Sequence, residues 1–251
     1  MIRWIFFDVG NVLLSDDPLL ALRYRMLYTA VCSAGHELSF EQLCREREHL
    51  ILEERESFYF LRICDKYLTD QQKERLLADY DEQFRENYIK YSPLTPGIGE
   101  VVKELSSKYK LAIAANQVRE CRGALEELGL LRFFDVVGIS EEMQIAKPAP
   151  EFFQCLLEEA KCEPAEAIMI GDRVDNDIAP AKSLGMKTIC LRMGVWDKGY
   201  EPVDDIERRY FESMDRACLS RLRADGDYQQ PDVLVNSVAE ITGTVYKLND
   251  D

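Results

Sequence analysis

The chain has 251 residues, 47% of them hydrophobic and 31% charged, with 46 Asp and Glu against 31 Lys and Arg and a formal net charge of −15. That composition suits a globular protein with a sizeable core, as one large domain or two unequal ones. The acidity speaks against non-specific binding to DNA, RNA or an anionic membrane, and it requires any anionic ligand to find a local cation. With only His36 and His49, a multi-histidine metal site is excluded and a histidine-based triad has little to draw on. The eight cysteines form no C-x-x-C pair and read as reduced, mostly buried thiols. No run is long enough to span a bilayer and no secretory leader pattern opens the chain, so the expected location is cytoplasmic.

The first element is an apolar run, Ile2 to Phe7, that ends in Asp8-Val9-Gly10-Asn11-Val12. Its lack of alternation marks a strand buried on both faces of a parallel sheet, which puts Asp8 at a carboxyl end, where open α/β sheets bind ligands. Ser15-Asp16-Asp17-Pro18 breaks the run. From Leu19 to Tyr91 the spacing is helical, with junctions at Gly35 and at Leu68-Thr69-Asp70, where Thr69 or Asp70 is the expected N-cap. This stretch reads as a module of about four helices, its aromatics Phe58, Tyr59, Phe60, Tyr67, Tyr80, Phe84 and Tyr88 serving as core.

Ser92-Pro93-Leu94-Thr95-Pro96-Gly97 is the clearest boundary in the sequence. Beyond it helices and strands alternate. Helices are expected over 98–107, 118–128, 150–160 and 178–184, and strands over 111–115, 135–139, 167–170 and 188–191. This βαβα order implies an α/β fold with a doubly wound parallel sheet. The first strand belongs to that sheet, so the helical module is an insertion. The expected division is an α/β core domain of 1–15 and 93–251 and a helical domain of 16–92. Residues 206–222 read as a mixed-charge helix ended by Asp225-Gly226-Asp227, and the stretch 196–230 as a helical excursion packed on its own domain, ahead of a rim element over the site or an oligomer contact. A last strand over 231–235, a helix over 238–246 and a frayed tail at 249–251 follow.

Four stretches together carry a family resemblance. Phe7-Asp8-Val9-Gly10-Asn11-Val12, Ala115-Asn116, Ala146-Lys147-Pro148 and Gly171-Asp172 through Asp177 resemble, in order and spacing, the four motifs of the haloacid dehalogenase-like (HAD) hydrolase superfamily, in its phosphatase-like branch. The resemblance implies a Rossmann-like core with a helical-bundle cap inserted after the first motif. It also implies a Mg²⁺-dependent phosphatase of small phosphorylated metabolites acting through an aspartyl-phosphate. On that pattern Asp8 is the nucleophile and a metal ligand. The Gly10 backbone carbonyl and Asp172 complete the protein's metal ligands, and Lys147 steadies Asp8 and the transferring phosphoryl group. Asp177, or failing that Asp175, lies behind the metal, ordering its water or the lysine. Gly10, Asn11, Ala115, Asn116 and Lys147 line the phosphate site. The chemistry is coherent, because a carboxylate attacking an anionic phosphoryl group needs cations to neutralise both partners, and Mg²⁺ takes hard oxygen ligands. No nucleic acid or membrane partner is implied, and a monomer or homodimer is expected.

Two positions depart from the family pattern. Gly10 stands where phosphatases of this superfamily usually carry a second Asp as general acid and base, help worth about 10²–10⁴-fold; Asp16 or Asp17 is a candidate stand-in. Ala115 stands where a Ser or Thr hydroxyl usually binds a phosphate oxygen. These changes motivate a second hypothesis, a binding or regulatory protein that keeps the fold with weak or lost catalysis. A third, a haloacid dehalogenase, is opposed by the metal-type carboxylates of the fourth motif. Arg173 is expected in a surface ion pair, with Asp16 or another carboxylate of the helical module, rather than on substrate.

Overall fold

The computed structural model describes residues 1–56, 58–218 and 229–250. The chain divides into two compact units. One comprises Met1–Ser15, Pro93–Met193 and the described part of Arg223–Asp251; the other comprises Asp16–Ser92 and the described part of Gly194–Leu222.

The first unit is built on six parallel strands. They are β1 (Trp4–Phe7), β2 (Lys110–Ala115), β3 (Val136–Ile139), β4 (Ala167–Gly171), β5 (Lys187–Leu191) and β6 (Val233–Val235), in the spatial order β3-β2-β1-β4-β5-β6. The reversal of strand order falls at β1, between β2 and β4, so the first strand is central. A switch point of this kind opens a crevice at the carboxyl ends of β1 and its neighbours. Asp8 follows β1, Asn116 follows β2 and Asp172 follows β4, so the topology alone gathers the chemistry-bearing residues at that edge.

Sheet burial explains why the strands read as continuous apolar runs. Trp4, Phe6, Ala112, Ala114 and Met169 pack on one face with Phe152, Phe153, Leu156 and Leu157 of the helix Pro150–Ala160. The alternate residues Ile5, Phe7, Leu111, Ile113, Ile168 and Ile170 are equally buried. Both faces are covered, as a parallel sheet requires. Helices Ile98–Ser106, Glu120–Glu127, Ala179–Ser183 and Glu240–Asp250 also belong to this unit, the last of them longer than the sequence suggests. The expected frayed tail is ordered through Asp250: Asn249 Oδ1 accepts from the Ile2 N–H at 2.8 Å. The ends of the helical insertion are tied to each other within this unit, through Ser15 N–H to Pro93 O (2.8 Å) and Thr95 N–H to Leu13 O (2.9 Å).

The second unit is helical. Its elements include α1 (Asp17–Ser33), α2 (Phe40–Leu52), α3 (Tyr59–Tyr67) and α4 (Asp70–Glu86). Thr69 caps α4 in a capping box with Gln72, and Ser39 does the same for α2 with Gln42. Phe60, Phe84 and Tyr88 are buried, but Phe58, expected in the core, is 69% exposed at the start of α3.

The segment after Met193 differs from the expected division. Its helix, Asp205–Arg216, packs with the helical unit rather than with the sheet. Tyr210 and Phe211 enter the same core as Tyr24, Leu27, Leu43 and Phe60, and Tyr210 stacks on Tyr24 at 4.6 Å between ring centroids. Lys198 forms a buried ion pair with Asp17 at 2.8 Å. Arg47, itself buried, donates to the carbonyls of Ser213 (3.1 Å) and Ala217 (2.9 Å), satisfying the open end of that helix. Mixed charge on the outer face masks this apolar stripe in the sequence. Residues 219–222 of the expected helix and its expected terminator, Asp225-Gly226-Asp227, lie outside the described residues. Among the described residues no cysteine is in a disulfide, five of the eight are buried, and no helix is long and apolar enough to cross a membrane.

Candidate active site

The site is built where β1, β2 and β4 end. Asp8 leaves the sheet immediately after Phe7, and its own N–H still donates to Ile170 O at 2.9 Å, so the residue stays in register with β4. A tight turn follows. Asn11 adopts a left-handed conformation (φ 55°), tolerable for Asn, and its N–H closes on Leu14 O. The Asn11 side chain reaches across to β4's loop, where Nδ2 donates to Asp172 Oδ2 at 3.2 Å.

Lys147 enters from the loop before the helix Pro150–Ala160. Its side chain is fully buried, and its ammonium donates to Asp8 Oδ1 at 2.7 Å and to Asp177 Oδ1 at 2.6 Å. An exposed loop lysine, the ordinary fate of that residue type, is thereby ruled out. Its main chain is held by Asn116: Nδ2 donates to the Lys147 carbonyl and Oδ1 accepts from the Lys147 N–H, both at 2.8 Å.

Asp177 is placed by a wide turn. Val174–Ile178 forms a π-helical turn in which the Ile178 N–H reaches Arg173 O, and the Arg173 N–H donates to Asp177 Oδ2 at 3.0 Å. Such turns aim side chains that a regular helix would direct elsewhere. Gly171 makes room: a Cβ there would stand 2.5 Å from Asp177 Cγ and Oδ2. Asp177 is wholly inaccessible to solvent.

Asp8, Asp172 and Asp177 offer carboxylate oxygens that all lie within 4.8 Å of one another. Three carboxylates against one ammonium leave an excess of negative charge, which a divalent cation would offset. The electrostatics reflect this. Burial pushes the Asp8 carboxyl up to about 6, against the lowering pull of Lys147 and with a further raising push from Asp177. Lys147 is held above its ordinary value, because Asp177 and Asp8 together outweigh the burial that opposes its charge.

The structure thus brings Asp8, Lys147, Asp172 and Asp177 together. Asn11 and Asn116, expected to line a phosphate site, spend side-chain groups on Asp172 and on the Lys147 main chain. Gly10 follows Asp8 by two residues and offers no side chain. Ala115 is the last residue of β2 and is fully buried. Arg173 is paired with Asp175, its Nε to Oδ1 at 3.1 Å and its second nitrogen to Oδ2 at 2.8 Å. The sequence reading missed the Asn116 clamp and the Gly171 vacancy; the one signal available was the short spacing between Gly171 and Asp177.

A model of the haloacid dehalogenase-like hydrolase family matches residues 17–191. The chain is 29% identical to a glyceraldehyde 3-phosphate phosphatase of Methanopyrus kandleri, over 84% of this chain and 93% of that one. It is 30% identical to a ribulose-1,5-bisphosphate 5-phosphatase of Halopiger xanaduensis, over 63% of this chain and 59% of that one. Among solved structures, a predicted phosphoglycolate phosphatase from Haemophilus somnus superposes with a TM-score of 0.64 at 19% identity, covering 97% of this chain and 98% of the other, a likeness of fold.

Proposed function

Because the chain belongs to the haloacid dehalogenase-like hydrolase family, we propose that it is a Mg²⁺-dependent phosphatase of small phosphorylated metabolites, with Asp8 as its nucleophile. The observation that carries this reading is the buried Lys147 ammonium held between Asp8 and Asp177, with Asp172 completing a trio of carboxylates within 4.8 Å. The phosphatase names of its relatives support a phosphate monoester as substrate. The helical insertion between Ser15 and Pro93 takes the part of the family's cap domain in this reading.

The donor set fits Mg²⁺, since every side-chain donor in the trio is a hard carboxylate oxygen. Asp8 and Asp172 would hold the ion with the Gly10 carbonyl, while Asp177 remains on Lys147. When bound, the ion supplies positive charge to the phosphoryl oxygens.

The chain's own residues do the rest. Lys147 keeps Asp8 oriented and partly neutralised. The Asp8 oxygen that Lys147 does not hold attacks phosphorus as the bond to the leaving oxygen breaks, giving an aspartyl-phosphate. That leaving oxygen takes its proton from water, because residue 10 offers none. Water then attacks the aspartyl-phosphate, giving up its proton to the hydroxide left by the first step, which releases inorganic phosphate and restores Asp8.

Gly10 and the buried Ala115 favour a second reading, a binding or regulatory protein with slow or no turnover. A panel including glyceraldehyde 3-phosphate, phosphoglycolate and an aryl phosphate, assayed with and without Mg²⁺ against Asp8→Asn, separates the two. Mg²⁺-dependent turnover lost in Asp8→Asn supports the phosphatase. Ligand-dependent stabilisation with no turnover above that control supports the second reading.

A further inference from the structure

Lys147 is fixed at both ends of its side chain. The ammonium is held by Asp8 and Asp177, and the main chain is held by one residue, Asn116, in both directions at once. The strand β2 has ended at Ala115, so the Asn116 side chain supplies a peptide-like rung where the ladder stops. Asn and Gln alone carry a carboxamide, the donor–acceptor pair with the geometry of a peptide group, and Gln is one methylene too long for the same rung. The next residue along, Pro148, has no N–H. Main-chain anchoring of this loop at the lysine therefore falls to the N–H and carbonyl of Lys147, the two groups Asn116 engages.

We propose that Asn116 is a positioning residue. It fixes the Lys147 main chain so that one ammonium can reach Asp8 and Asp177 together, and it sets the rate of phosphoryl transfer through Lys147 rather than by contact with phosphate. This rests on the phosphatase reading for its kinetic consequence and on the Lys147 geometry for its structural one. A displacement of a reacting group by about 1 Å can cost about 10²-fold in rate, so loss of the clamp acts at a distance from the chemistry.

The test is Asn116→Ala, which removes both bonds. The expected result is a loss in kcat of about tenfold to 10²-fold. Binding of inorganic phosphate in the presence of Mg²⁺, measured by calorimetry, forms a double-mutant cycle with Lys147→Met. In the Lys147→Met background, adding Asn116→Ala is expected to leave the phosphate Kd within about twofold. An equal weakening in both backgrounds would show that the amide touches phosphate, and the positioning role would be overturned. A crystal structure of Asn116→Ala gives a readout free of substrate and of the second variant's folding. Lys147 Nζ is expected to leave hydrogen-bonding range of Asp8 or Asp177; an unmoved ammonium overturns the proposal. A protein that hydrolyses no phosphate ester would defeat the functional reading while this crystallographic arm still decides the clamp.

Discussion

Gly171 and Asp177 share a space that admits only one side chain: a Cβ on Gly171 would stand 2.5 Å from the Asp177 carboxyl carbon. The obstructing atoms are the root of a short, fully buried side chain, which cannot swing aside as the tip of a long one can. Asp177 in turn holds Lys147 at 2.6 Å. Gly171→Ala is therefore expected to cost about 1–3 kcal/mol by overpacking, and to lower kcat/KM by about 10²-fold by shifting Asp177 and with it Lys147. Urea titration and steady-state kinetics on the folded variant check both. A fully active variant would mean that the Asp177 position is not needed for turnover.

Lys147 carries the only positive charge in direct contact with Asp8 and Asp177 among the described residues. Lys147→Met keeps the bulk of the stem and removes the charge, leaving two buried carboxylates without their ion pair. Breaking a buried pair from one side costs about 3–5 kcal/mol. Mg²⁺ is expected to restore part of that loss, because Asp8, one of the two, is a proposed ligand and ligand binding to the folded state adds to stability. Denaturation midpoints with and without millimolar Mg²⁺ measure this; a variant as stable as the parent in the absence of the ion would contradict the charge argument.

The Asp8 carboxyl, pushed up to about 6 by burial despite Lys147, gives a pH dependence of known sign. The metal-free fold favours the protonated acid relative to the unfolded chain. Its contribution to stability is thus fully present below the ordinary value of 3.8 and is lost as pH rises through about 6. A cation binds the ionised form and must displace the proton. Mg²⁺ affinity is expected to climb with pH up to about 6, approaching tenfold per unit well below it, and to flatten above. Calorimetric titrations at several pH values in buffers of different ionisation enthalpy follow both the affinity and the released proton.

The elements that were plain in the sequence are those whose burial is uniform. The strands around β1 are covered on both faces, so they appear as unbroken apolar runs, and the residues just past their ends inherit a common edge. That is why Asp8 and Asp172 stand at strand ends in the sequence, and the resemblance to four ordered family motifs adds Lys147 to them. What stayed hidden depends on side-chain direction across distant segments. Nothing local to Asn116 says that its amide faces the main chain of residue 147, and nothing near Gly171 says that its missing Cβ is filled by Asp177. The helix Asp205–Arg216 packs with the helical unit rather than with the expected core domain for a related reason. Its buried face, Tyr210 and Phe211, fits any apolar surface, and the charges around it do not say which. Arg47, a charged residue within an apolar spacing, was the hidden partner.

That partnership makes the last prediction, on Asp17 and Lys198. Their side chains are 3% and 7% exposed and meet at 2.8 Å within the helical unit, which joins α1 to the segment after Met193. Two desolvated charges stabilise a fold only as long as both remain. Lys198→Met alone leaves Asp17 buried beside an apolar group and is expected to destabilise by about 3–5 kcal/mol. Adding Asp17→Leu removes the stranded charge, and the double variant is expected to recover most of that loss, because an apolar pair of similar volume carries no desolvation penalty. Chemical denaturation of the two single variants and the double variant closes the cycle. Losses that simply add would show that Asp17 and Lys198 act independently, and that the late segment is held to α1 by its apolar face alone.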